Sequence, residues 1–349
     1  MPKDSESENP HSWTTPASYG SALSSSTTTA AGERSELREI ETFVLSSDEL
    51  RIEIDPGRGA DLLSLVELRT GAEVLFSTPW RRRADLIRAG AVAAGSLDSE
   101  QSWLEQYRGG WQTLCPNAGL PRKYRGAVFG FHGEASVIPW TLVAATVSTA
   151  RLTTELFTVP LTIDRYLNLT GGSLQIVDEI FNTCGQELTI DYSHHPALGG
   201  DFLDGECDVT TNAARYTADA TNVAQRIDGD LSKSGMARLP APGVPVKEFG
   251  WLSEFAGSGD AWAAVSNRTL GFTVRFSWDP GVLPYAWWWQ EFTATPDFPW
   301  FARARVFAVE PSSTPTSGPH RVSALTLPAH SSLRIPLRLS IEQLHPCLG

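Results

Sequence analysis

The sequence is poor in the residues that mark covalently or metal-held scaffolds. Its four cysteines, Cys115, Cys184, Cys207 and Cys347, are widely scattered and form no CxxC pair, so neither a disulfide framework nor a zinc ribbon organises the chain. No HExxH occurs, and the one adjacent histidine pair lies in a strand-like run, where neighbouring side chains diverge and do not chelate together. Positive charge is also short: 28 Lys+Arg against 40 Asp+Glu leave a formal charge of −12. That balance argues against nucleic acid or an anionic membrane as the main partner. The only basic cluster, Arg81-Arg82-Arg83, reads as a solvated loop. No apolar run reaches the roughly eighteen residues a bilayer-spanning helix needs. The N-terminus, Met1-Pro2-Lys3-Asp4, leads into serines and acids without an apolar signal core. A cytoplasmic protein is expected.

What the chain does contain is globular. At 349 residues, 41% hydrophobic and 19% charged, it is long enough for one large all-β domain or two smaller ones. Residues 1–38, including "SALSSSTTTAAG", are too rich in Ser, Thr, Glu and Ala to bury a useful apolar surface, which predicts a disordered tail. From there the period is two. Leu50, Ile52 and Ile54 share one face of "ELRIEID", Leu161, Ile163, Leu167 and Leu169 share one face of "LTIDRYLNL", and "SLRIPLRLSIE" alternates without a break. Pro336 in that last run suggests an edge position or a bulge. Turn signals such as "DPGRG" and "TGG" separate the strands, and only "DSEQSWLEQY" at 98–107 carries a short helical pattern. Many strands without intervening helices predict antiparallel sheets packed face to face, as a single β-sandwich domain over 39–349.

Polar side chains gather with glycines and aromatics in "GGWQTLCPNAG", "GFHGEASVIPW", "SHHPALGGDFLDG", "PYAWWWQEF" and "RARVFAVEPSS". Within the Trp287-Trp288-Trp289 run, 287 and 289 face one side and 288 the other. A half-buried indole offers a flat apolar platform with a donor at its rim, suited to the C–H-rich face of a pyranose, while nearby Gln, Asn and Asp side chains would read its hydroxyls. The plainer reading is that each Trp fills space between sheets. His132 sits between Gly130 and Gly133, His195 precedes Pro196, whose ring restricts its backbone, and Glu310 ends the apolar run "VFAV". A carboxylate at the end of a buried strand can have its pKa pushed toward neutrality, as a general base needs. His194 should point away from the face that His195 occupies.

The order and wording of these stretches, from Thr42 to Ile341, resemble the aldose 1-epimerase (galactose mutarotase-like) superfamily. "GFHGEASVIPW" resembles its His-Gly stretch ending in Trp. "SHHPALGG" is similar to its strand-end Asn-His-Pro-Ala-Phe or Gly-His-His-Pro-Ala-Phe motif, and "VFAVEPSS" to the late strand that delivers a Glu. The resemblance implies a large antiparallel β-sandwich and the interconversion of α and β anomers of an aldose, without cofactor or metal. It also implies Glu310 as base on the anomeric hydroxyl, His195 as acid on the ring oxygen, and His132 as a substrate contact. Asn117, Trp287, Trp289 and Gln290 complete the expected sugar-binding set. For the galactose branch's substrate-binding aspartate no secure match exists; Asp204 and Asp201 are candidates. That branch's Arg-containing stretch is replaced here by "CPNAGLPRKYRG", which puts galactose itself in question more than sugar binding. Two alternatives stay open: a non-catalytic carbohydrate-binding protein, and a glycosidase using Glu291 and Glu310.

Overall fold

Alternation is realised residue by residue in the strand Leu161–Thr170, where Leu161, Ile163, Arg165, Leu167 and Leu169 are buried and the residues between them face outward. A computed structural model describes residues 40–219, 236–318, 321 and 325–344; the tail expected over 1–38 lies outside the described residues. Strands of this kind build a ten-stranded and a nine-stranded sheet. The first runs in the order Phe43–Ser46, Leu50–Asp55, Asp61–Glu67, Trp111–Leu114, Ser193–Leu198, Arg305–Ser312, Tyr285–Phe292, Val246–Phe255 and Ala213–Ala218, with the short Ala72–Glu73 pairing onto Asp61–Glu67. The second runs Met236–Arg238, Cys207–Thr211, Ala261–Asn267, Phe272–Trp278, Ser332–Gln343, Ser173–Asn182, Leu161–Thr170, Thr149–Glu155 and Thr141–Ala145. One apolar core joins their inner faces, with Trp111 of the first sheet set edge-on against Phe276 of the second at 5.5 Å. The result is the antiparallel β-sandwich expected from the period of two.

Two expectations need correction. The strand carrying Pro336 is central, between Phe272–Trp278 and Ser173–Asn182. Proline is accommodated because pairing with Phe272–Trp278 stops at Leu337, the residue after it, so Pro336 has a strand partner, Val177, on one side only. The arginine run is the first turn of a helix, Arg81–Arg88, and not a loop. Arg81 lies 3.7 Å from Asp85 one turn on, and Arg83 pairs with Glu105 of a second helix, Ser99–Gln106, so the like charges are locally compensated. That second helix falls within the 98–107 pattern, and Asp98 caps it by accepting from the Glu100 and Gln101 amides at 3.0 Å.

The sandwich interior is not wholly apolar. Arg165, fully buried, donates to Asp178 through Nε (2.8 Å) and Nη2 (2.6 Å), and Nη2 also meets Thr113 Oγ1 in the opposite sheet. Tyr192 donates its hydroxyl proton to Asp178, so its oxygen accepts from His194 Nε2 at 3.1 Å. His194 Nδ1 in turn accepts from Trp111 Nε1 at 3.1 Å. A single tautomer of His194 satisfies the whole chain. Burial alone would raise Asp178, but the Arg165 charge and hydrogen bonds outweigh it and hold the carboxylate below its usual range.

Removing one partner of a buried pair strands the other charge. Arg165→Met should therefore cost about 3–5 kcal/mol of stability, and adding Asp178→Leu should recover part of that loss, as read by urea unfolding. A double variant no more stable than the single one would contradict the ion-pair account. His194 supplies a pH test. Burial pushes its pKa down to about 3, against about 6.5 in the unfolded chain. Between those values the unfolded state binds a proton the native state lacks, so the contribution is complete above pH 6.5 and is lost as pH falls toward 3. The difference in unfolding free energy between the native sequence and His194→Gln should shrink from about pH 7 to about pH 4.5.

Candidate active site

The outer face of the ten-stranded sheet carries a row of side chains set by strand register. Gln112 pairs with His195. Pairing of Ser193 with Ser312 and of Ala197 with Ala308 puts His195 across from Glu310. Glu310 pairs with Trp287, and Trp287 with Trp251. Because register fixes the row, neighbouring strands deliver the imidazole and the carboxylate to one place: His195 Nε2 and Glu310 Oε1 stand 3.6 Å apart. Both open into a cavity of about 700 Å³ that is also lined by His132, Tyr107, Trp103 and Trp289.

His132 reaches the cavity from a loop. Its φ of 59° is left-handed, and Gly133 follows at 78°, a conformation that non-glycine residues enter only under constraint. The constraint is visible: His132 N donates to Gly119 O (3.1 Å), and Gly119 N donates back to His132 Nδ1 (3.2 Å). With Nδ1 accepting, the neutral ring carries its hydrogen on Nε2 and can donate. Burial, then the neighbouring His195 and Arg321, push its pKa well below the usual imidazole value, so at neutral pH it is an uncharged donor.

Burial governs the other two groups as well. It lowers His195 to about 4 and raises Glu310 well above the carboxylate range. For both groups burial thus disfavours the charged form. Glu310 Oε2 and the Tyr107 hydroxyl have no hydrogen-bond partner among the described residues, although both are buried. Unpartnered buried polar atoms facing an aromatic-walled cavity are suited to a hydroxyl-rich ligand. Among the described residues no group of three His, Cys, Asp or Glu side chains is arranged to hold a metal.

Of the residues singled out in the sequence, His132, His195, Glu310, Trp287 and Trp289 line this cavity together. The two tryptophans differ: Trp287 is 2% exposed with its Nε1 donated to Thr314 O at 2.7 Å, whereas Trp289 is half-buried and 5.4 Å from the His195 ring. The other three residues lie elsewhere. Gln290 alternates onto the sandwich side of its strand, as Trp288 does, and does not line the cavity. Asn117 is fully buried, with its amide committed to the carbonyls of Gly119, Leu120 and Gly130 (2.8–3.2 Å) and its oxygen to Arg321; it braces the loop that holds His132. Asp204 is exposed at the end of the turn Gly200–Leu203, and Asp201 accepts from the Glu73 amide at 3.1 Å. Glu291 likewise anchors a loop, accepting from the Ala294 and Thr295 amides and the Thr295 hydroxyl, which removes the carboxylate pair a glycosidase reading requires.

The sequence reading overlooked Trp103 and Tyr107, whose rings stack at 4.7 Å. Their spacing of four along a helical pattern was the available signal. Trp300, which packs on Trp289 at 5.5 Å, sits in an irregular loop and carries no such signal.

The two-sheet antiparallel sandwich has the galactose mutarotase-like fold, as comparison with solved structures shows. It is similar to the Slr1438 protein of Synechocystis sp. PCC 6803 (TM-score 0.63, 17% identity, covering 87% of this chain and 96% of that one). A galactose mutarotase-like protein from Lactobacillus casei (TM-score 0.59, 16% identity, 86% and 100% covered) and a GalM/aldose epimerase homologue from C. elegans (TM-score 0.60, 12% identity, 87% and 99% covered) share the architecture. Within this fold, residues 40–327 match the family described as a domain of unknown function, DUF4432, and the chain belongs to that family. No protein of curated function matches the sequence.

Gly133 tests the loop geometry. A Cβ there would lie 2.5 Å from the Cys115 carbonyl in a left-handed conformation, so Gly133→Ala should lower the melting temperature and displace the His132 imidazole, observable as a shifted His132 NMR resonance. An unchanged resonance would contradict the constraint.

Proposed function

We propose that the protein is an aldose 1-epimerase, interconverting the α and β anomers of a sugar by acid–base ring opening. The observation that carries this reading is the His195–Glu310 pair, 3.6 Å apart in a buried, aromatic-walled cavity. Anomerisation needs one acid and one base acting on the two oxygens of a hemiacetal, with no nucleophile and no redox centre. In the proposed cycle Glu310 removes the anomeric hydroxyl proton and the C1–O5 bond breaks as His195 protonates O5. The aldehyde then rotates about C1–C2, and closure on the other face returns both protons. His132 donates from Nε2 to a sugar oxygen, and Trp289 supports the ring face. Burial lowers the pKa of His195 and raises that of Glu310, so the cycle needs the bound sugar's hydroxyls to stabilise the carboxylate and imidazolium from which it starts. A carboxylate and an imidazolium side by side carry no net charge, which limits the cost of holding both ions in the low-dielectric cavity.

A second reading, a sugar binder without turnover, draws on the same burial, which disfavours the charged forms of His195 and Glu310 that the cycle needs. Freshly dissolved pure anomers followed by polarimetry or NMR, against enzyme-free controls, separate the two. Glu310→Gln and His195→Asn should each slow anomerisation by about 10² to 10⁴ with little change in sugar affinity, while His194→Asn costs far less. Full activity in Glu310→Gln would refute the mechanism, and equal losses in both histidine variants would show the pair to be wrongly assigned.

A further inference from the structure

A second cavity of about 530 Å³ adjoins the first, and the two share Gln101, Leu104, Phe298 and Pro299 as a common wall. A ladder of half-buried indoles joins them. Trp289, beside His195, meets Trp300 at 5.5 Å, and Trp300 meets Trp80, which lines the second cavity, at 5.3 Å. Among the described residues neither Trp289 nor Trp300 has a hydrogen-bond partner for its indole nitrogen, whereas Trp80 Nε1 donates to Leu104 O. Phe298 of the shared wall and Phe301, which lines the second cavity alone, are 54% and 53% exposed. Phe301 and Ala302 are both left-handed, with φ of 46° and 53°, and the turn is pinned by Phe301 N to Asp297 O (2.9 Å) and Ala302 N to Thr295 O (2.7 Å). Consecutive non-glycine residues held at positive φ are a feature of segments that clamp ligands. Charge completes the description: Arg83 is paired with Glu105, but Arg303, lying 5.7 Å over the Phe301 ring, has no ion pair among the described residues.

We infer that the second cavity is a subsite for the next residue of a reducing oligosaccharide, whose reducing end occupies the His195–Glu310 cavity. This rests on the proposed anomerisation for the position of the reducing end. The three indoles, tilted by 50° and 59° from one to the next, place a separate aromatic ring at each stage between the two cavities, the free indole N–H groups of Trp289 and Trp300 provide donors, and Arg303 favours a second residue that bears a carboxylate. Phe301 and Arg303 touch only that second residue. They line no part of the first cavity, so their loss leaves the chemistry of a monosaccharide alone.

The test compares three reducing sugars, a hexose, a neutral hexose disaccharide and a uronic acid-bearing disaccharide, with the full-length protein and its Phe301→Ala and Arg303→Ala variants, both surface changes. An aromatic contact of ordinary strength corresponds to roughly tenfold in kcat/KM. Both disaccharides should exceed the hexose by about that factor, and the acidic one should lead. Phe301→Ala should erase the advantage of both, Arg303→Ala that of the acidic one, with hexose anomerisation unchanged. Disaccharide and hexose rates that are equal, or an advantage that survives both substitutions, would overturn the subsite. Direct binding by tryptophan fluorescence distinguishes the two failures. If no sugar is anomerised yet the disaccharides bind and Phe301→Ala weakens them, the subsite stands and the epimerase reading falls. If they do not bind, the subsite falls.

Discussion

The buried Arg165–Asp178 pair is the constraint on which the site depends. Arg165 and Asp178 belong to one sheet, and through Thr113, Tyr192 and His194 they bind the other. The strand bearing His194 is held from inside the sandwich, so His195, the next residue, projects outward with little freedom. Two adjacent imidazoles thus divide one task. The inner ring is a fixed link in a hydrogen-bond chain, and the outer ring is left with Nδ1 unpartnered and Nε2 facing Glu310. Dipoles on one side of the strand hold in place a group whose chemistry is on the other.

The fold was legible because its code is short-range. Alternation in "LTIDRYLNL" foretold which side of the strand would be buried, yet it hid Arg165, a charged residue at an inward position that only its partner on the adjacent strand explains. The same parity rule, applied to the tryptophan run, separates 287 and 289 from 288; carried one residue further it would have turned Gln290 inward as well. Arg81 and Asp85, four apart, likewise held a helical signal that three consecutive like charges masked.

The site was legible only in part, for a physical reason. His195 and Glu310 lie on paired strands, where sequence motif and register agree. Asn117 and Asp204 lie in irregular segments, where no periodicity says which way a side chain turns. For Asn117 the residue type was informative and the role was misread: an amide flanked by glycines and prolines is as well suited to bonding backbone as to bonding a sugar. Trp300 illustrates the limit. Its place in the wall follows from a loop path that only the folded chain reveals.

The bracing of the His132 loop has a consequence for how such a protein can diverge. Asn117 and Arg321 grip the loop through main-chain carbonyls of Gly119, Leu120, Ser317, Gly318 and Gly130, and a carbonyl is the same whatever side chain accompanies it. The stretch between Leu120 and Gly130 can therefore change composition, and even length, while the imidazole beyond it stays put. Evolution can rewrite that rim of the cavity without having to solve the histidine's placement again.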